Sequence, residues 1–232
     1  MDERVSKLMA QRGLCSRREA EEYMLQGLVS VNGILVTMLG SKAPIDSKIL
    51  LDRTLLEAVT VALHKPLGFV SNLPEKNYRE AKELLTEENR FGKGPSIDIN
   101  SLHVVGRLDI NSKGLLLFTS DGRVAKKIIG PESKVEKEYI VRFADAVPEN
   151  AMDKLRFGLR LDGRALKRAI VKKHDDQTLI IILSEGKKRQ IRRMSELVGL
   201  EITSLKRVRI GDIDLGNLPL GKWMIVKPSI LI

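Results

Sequence analysis

Residues 106–122, Gly-Arg-Leu-Asp-Ile-Asn-Ser-Lys-Gly-Leu-Leu-Leu-Phe-Thr-Ser-Asp-Gly, constrain the fold more than any other stretch of the chain. Val104 and Val105 lead in as a strand, and Leu115 to Phe118 read as a buried strand ended by the Asp121-Gly122 turn. Gly106 and Gly114 permit close approach of backbones. Between them lies a single carboxylate, Asp109, next to a basic residue and just ahead of an apolar strand. That arrangement puts Asp109 at the mouth of a sheet, the setting of a nucleophile.

The chain has 232 residues and 43% hydrophobic content, enough for one large domain, a small one and a sizeable core. No stretch approaches the roughly 20 apolar residues of a membrane span. The opening Met-Asp-Glu-Arg-Val-Ser carries acids where a targeting peptide has none, so the cytoplasm is the expected compartment. The single cysteine, Cys15, reads as a small packed residue, and three histidines offer no metal-ligand spacing. Forty Lys+Arg against thirty Asp+Glu favour a polyanionic partner. Residues 187–209 hold eight bases (Lys187, Lys188, Arg189, Arg192, Arg193, Lys206, Arg207, Arg209) against two acids, Glu196 and Glu201. With only 4% aromatics, recognition of folded RNA by shape and backbone fits better than base stacking.

Residues 1–53 form a self-contained pattern. Ser16-Arg17-Arg18-Glu19 is a capping box, Ala20, Tyr23 and Met24 give an apolar helical face, and Gly27 stops the helix. Val29-Ser30-Val31 and Ile34-Leu35-Val36 alternate around Asn32-Gly33, a two-residue hairpin signal. With Lys7, Arg12, Gly13, Arg17 and Arg18 near the helix junction, the module resembles the S4 RNA-binding domain, which implies that these bases face RNA. Residues 52–57 read as a linker. A larger domain, 60–232, begins with a strand over 60–63, followed by His-Lys-Pro-Leu-Gly, where Lys65 touches RNA or, the favoured reading, covers a sheet edge. Further expectations are helices over 79–88, 124–129 and 151–158 and strands over 137–141 and 178–183. Residues 72–100 have the character of a loop that contacts substrate. The fold class expected is α+β with a mixed, mostly antiparallel sheet.

The run Gly106-Arg107-Leu108-Asp109, then Ser112 and Gly114-Leu115-Leu116, resembles the signature of the RNA pseudouridine synthases that modify ribosomal RNA. Ser120 departs from the Asn common there. Lys65-Pro66-Leu67-Gly68 resembles the family's first motif, and residues 185–194, Glu-Gly-Lys-Lys-Arg-Gln-Ile-Arg-Arg-Met, its third. That resemblance implies an isomerisation of uridine without cofactor or metal. Asp109 would be the catalytic carboxylate, by attack on the sugar or by promoting glycosidic cleavage, and Arg192 its cationic partner, with Arg189 as the alternative. Tyr139 would stack on the base and is a candidate for removing the C5 proton. Arg107 would support the flipped-out nucleotide, and Ile182 or Leu183 would pack under the uracil. The remaining bases, Lys187, Lys188 and Arg193, are assigned to phosphate. A carboxylate that must stay charged in a pocket that has shed water requires a nearby cation. The third motif and the tail over 210–223 look more like enzymes acting on large-subunit RNA. Partners expected are ribosomal RNA or a pre-ribosomal particle, with the protein acting as a monomer. Rival readings are a small-subunit enzyme, a non-catalytic ribosome assembly factor of the same fold, and a glycosidase, which would want a second carboxylate.

Overall fold

The computed structural model describes residues 2–52, 58–72, 77–95 and 97–227. Most of the linker read from the sequence, residues 53–57, therefore lies outside the described residues.

The first module is built as its sequence dictates. Helix α1 (Val5–Gln11) buries Val5, Leu8 and Met9 at helical spacing, and α2 (Arg17–Leu25) buries Ala20 and Met24 against them. Ser16 caps α2: its Oγ accepts from Glu19 N at 3.3 Å, and the Glu19 carboxylate accepts from Ser16 N at 2.6 Å, worth ~1 kcal/mol. Around the helices lie short strands β1 (Asp2–Arg4), β2 (Val29–Val31), β3 (Ile34–Leu35), β4 (Lys42–Pro44) and β5 (Ile49–Leu51). Asn32 (φ 50°) and Gly33 (φ 82°) form the expected turn between β2 and β3, where both residues need positive φ. Cys15 is buried in this core.

The second domain has strands β6 (Thr60–Lys65), β7 (Phe69–Val70), β8 (Arg79–Glu80), β9 (His103–Val105), β10 (Lys113–Thr119), β11 (Lys137–Phe143), β12 (Arg160–Leu161), β13 (Arg164–Ala165), β14 (Ile170–Asp175), β15 (Thr178–Leu183), β16 (Ile202–Ile210), β17 (Ile213–Asp214) and β18 (Trp223–Val226). Its helices are α3 (Gly122–Ile129), α4 (Glu149–Arg156) and α5 (Gln190–Leu197). The main sheet runs β14-β15-β11-β16-β10-β6-β18, with β9 on β10 and β17 on β16. Within it only β10 and β16 pair parallel among the described residues. Leu115, Leu116, Leu117 and Phe118 are all buried because β10 is central and covered on both faces, which is why the run does not alternate. Residues 79–88 depart from the expected helix. They form β8 and two short 3-10 turns, Ala81–Leu84 and Glu87–Asn89, and local propensity yields there to the pairing of β8 with β7.

Asp121 is more than a turn residue, since it caps α3 by accepting from Arg123 N at 2.9 Å. The two domains meet at that helix end. Glu19, only 4% exposed, accepts from Gly122 N at the start of α3 while still capping its own helix. A Cβ on residue 122 would overlap the Glu19 carboxylate and lie 2.7 Å from the Ser16 backbone nitrogen, which cannot swing aside, so only glycine fits here.

Candidate active site

Asp109 sits on the loop between β9 and β10, and five consecutive carbonyls of that loop are each held by a different donor. Arg207 Nη1 donates to Arg107 O at 3.2 Å and Ser71 Oγ to Leu108 O at 2.8 Å. Ser112 N donates to Asp109 O at 3.0 Å and Gly68 N to Ile110 O at 2.9 Å. Arg192 Nη2 donates to Asn111 O at 2.7 Å. Three separate chain segments, 68–71, the start of α5 and β16, thereby fix the loop that carries the carboxylate, while the Asp109 side chain itself stays 33% exposed. A backbone with this much of its polarity satisfied is preorganised.

The arrangement around the carboxylate differs from the expected pairing with Arg192. Among the described residues the guanidinium within ion-pair distance is that of Arg189, its Nη1 3.9 Å from Asp109 Oδ2. Arg189 stands in the left-handed region (φ 52°) at the N-cap of α5, off the helix surface, which brings it over the loop. Arg192, on the first turn of α5, reaches the turn after Asp109, with Nη2 also 3.4 Å from Ser112 Oγ. Burial pulls the Arg192 pKa below its usual value, with the nearby Arg189 adding to the fall and Asp109 opposing it. Arg192 Nε is buried without a hydrogen-bond partner among the described residues.

Tyr139 is half-buried on β11, packed between two apolar clusters. The register pairs Tyr139 with Ile181 and Lys137 with Leu183, so Leu183 shares the Tyr139 face and Ile182 lies on the other. Arg107 is exposed beside Asp109. Among the other bases assigned to RNA, Lys188, Arg17 and Arg18 are exposed and Lys187 is half-buried. Three are engaged within the protein. Lys7 pairs with Glu3, Arg12 donates from Nη1 to Ser47 O at 2.6 Å and also to Ile45 O, and Arg193 holds both oxygens of Asp162 at 2.6 and 3.0 Å. Arg209, counted with the basic run, pairs with Glu136 and Glu138.

Two residues of the site escape a reading by charge. Lys65 is not at a sheet edge; it is fully buried on β6 opposite Gly114, donating to Pro66 O at 2.9 Å and Phe69 O at 2.7 Å. It thereby shapes the loop whose Gly68 (φ 84°) supports Ile110. Arg207, also counted with the surface bases, is 96% buried. Only the Lys-Pro-x-Gly spacing hinted at the first, and nothing local marked the second.

Burial lowers the Lys65 pKa from 10.5 to about 8, with Arg207 adding to the fall and Asp109 opposing it. Because the folded value lies below the unfolded one, the unfolded chain binds the extra proton between about pH 8 and 10.5, and stability contributed by this residue rises with pH across that window. In Lys65→Met that rise is expected to vanish. The stability difference between the two proteins then moves by about 3 kcal/mol in favour of wild type over the window, measured by denaturant titration at each pH. Parallel pH curves would refute the assignment.

The sequence matches the RNA pseudouridylate synthase family over residues 59–197 and the S4 domain over residues 3–43. It is 36% identical over 238 residues to the ribosomal large subunit pseudouridine synthase B of Yersinia pestis, covering 96% of this chain and 72% of that protein. It is 32% identical over 228 residues to the synthase B of Bacillus subtilis (strain 168), covering 94% and 90%, and 32% identical over 225 residues to the dual-specificity RNA pseudouridine synthase RluF of Escherichia coli (strain K12), covering 95% and 74%. A solved pseudouridylate synthase superposes with a TM-score of 0.69 at 27% identity, covering 97% of this chain and 96% of that one. The chain belongs to the RNA pseudouridylate synthase family and carries an S4 domain at its N-terminal end.

Proposed function

We propose that this protein isomerises uridine in large-subunit ribosomal RNA, with Asp109 as the carboxylate that acts at ribose C1′. In the reaction the C1′–N1 bond breaks, the uracil turns, C5 bonds to C1′, and the proton lost from C5 is balanced by one gained at N1. Nothing is oxidised or reduced. The observation that carries the reading is the clamped loop: its backbone is fixed at five carbonyls, and it holds the partly exposed Asp109 carboxylate beside Arg189. Tyr139 and Leu183, on one sheet face, supply a surface for the detached base. Arg107 supports the displaced nucleotide, and residues 1–53 grip RNA through Arg17 and Arg18. The protein works on ribosomal RNA or a pre-ribosomal particle in the cytoplasm as a monomer. Mapping pseudouridine in both ribosomal RNAs with and without this protein tests the reading. Loss of large-subunit sites is expected, whereas loss confined to the small subunit, or no change, would refute it.

Arg189→Met and Arg192→Met are each expected to slow single turnover at saturating enzyme by about 10²-fold, since one removes the charge beside Asp109 and the other the hold on Asn111. Lys188→Ala should instead weaken RNA binding in a salt-dependent manner and leave that rate unchanged. Rates unchanged in both arginine variants would remove α5 from the chemistry.

A further inference from the structure

We propose that Arg207 is a positioning residue, buried beneath the active site, that sets the place of Asp109 relative to Tyr139. It lies on β16 between two motif strands, directly across from Tyr139 on β11 and from Gly114 on β10. Its side chain ties a third piece to these two: Nε donates to Leu115 O at 2.8 Å and Nη1 to Arg107 O at 3.2 Å. A single guanidinium thus fixes the start of the Asp109 loop to the strand that follows it, and its backbone is paired to the tyrosine strand. Two carbonyls at fixed separation need the forked donor of arginine; an ammonium is a single point on a flexible stem.

The second observation is that this residue is poorly suited to stability. Its two hydrogen bonds go to carbonyl oxygens, and Nη2 is buried with no hydrogen-bond partner among the described residues. Like charge crowds it as well: its positive field adds to the lowering of both the Lys65 and the Lys137 pKa, where burial is the larger cause. Taking a charge out of water is costly, and hydrogen bonds to neutral carbonyls repay that cost only in part. A guanidinium kept there at this cost has a role outside the folding balance, and the role its bonds define is alignment of the Asp109 loop.

This inference rests on the proposed function, and the test separates the two. Arg207→Met and Arg207→Lys are compared with wild type in thermal unfolding, RNA affinity, single-turnover rate and hydrogen exchange at the amides of residues 106–109. For Arg207→Met the expected result is a Tm unchanged within about 3 °C or raised, affinity within threefold, a rate lowered ~100-fold, and faster exchange in the loop. Arg207→Lys keeps the charge and should be slowed at least tenfold, because the two-point hold is gone. A lysine variant with wild-type rate would overturn positioning in favour of charge alone. A methionine variant that keeps the wild-type rate and loop exchange, or that loses rate only in proportion to lost folded protein, would overturn the proposal outright. If wild type leaves uridine unchanged, the proposed function fails, and loop exchange, which requires no turnover, still decides whether Arg207 holds the loop.

Discussion

Asp109→Asn is expected to lower pseudouridine formation by at least ~10³-fold while RNA affinity stays within a few fold of wild type. The amide has nearly the shape of the carboxylate and leaves the loop untouched, because the loop is held through main-chain carbonyls and not through the Asp109 side chain. What it removes is the negative charge that must act at C1′. Single-turnover assays with excess enzyme, beside an equilibrium binding curve for the same RNA, measure the two quantities separately. Turnover near the wild-type rate would end the assignment of Asp109, and equal losses in rate and affinity would place it in binding instead.

Gly114→Ala should be the most damaging single-methyl change in the protein. Residue 114 has φ 114° and faces Arg207 in the parallel β10–β16 pair. A Cβ there would lie 2.1 Å from Arg207 O and 2.6 Å from Arg207 N, both backbone atoms that cannot swing aside. The strands must part at the centre of the sheet, which with the backbone strain costs about 3–5 kcal/mol, a large share of the 5–15 kcal/mol that holds a typical domain. Gly106→Ala is the control. Its φ of 78° is also unfavourable, but the added methyl meets only Ile129 Cγ2 at 3.5 Å, so the cost is the backbone term alone, about 1–2 kcal/mol. Denaturant unfolding of both variants decides the matter, and similar losses at the two positions would contradict the close approach of β10 to β16.

Wherever a feature depends on neighbours in the chain, it could be read from the residues. The Ser16 cap, the Asn32-Gly33 turn, the buried run at Leu115 to Phe118 and the carboxylate at the sheet mouth all follow from local spacing, because caps, turns and apolar periodicity are short-range effects. The expected helix over 79–88 failed for the complementary reason: pairing of β8 with β7 is a tertiary contact that outweighs helical propensity. Charge was legible as a total and not in its placement. Arg12, Arg193, Arg207 and Arg209 count equally in a sum, yet one caps a turn, two form ion pairs and one is buried. The same limit applies at the site. Sequence alone determined that Asp109 would stand between glycines ahead of a buried strand. Tertiary structure decided which cation lies beside it, which side of β15 shares a face with Tyr139, and that Lys65 and Arg207 brace the site from below. Those outcomes depend on strand register and on contacts between residues 80 to 100 positions apart, where no local rule reaches.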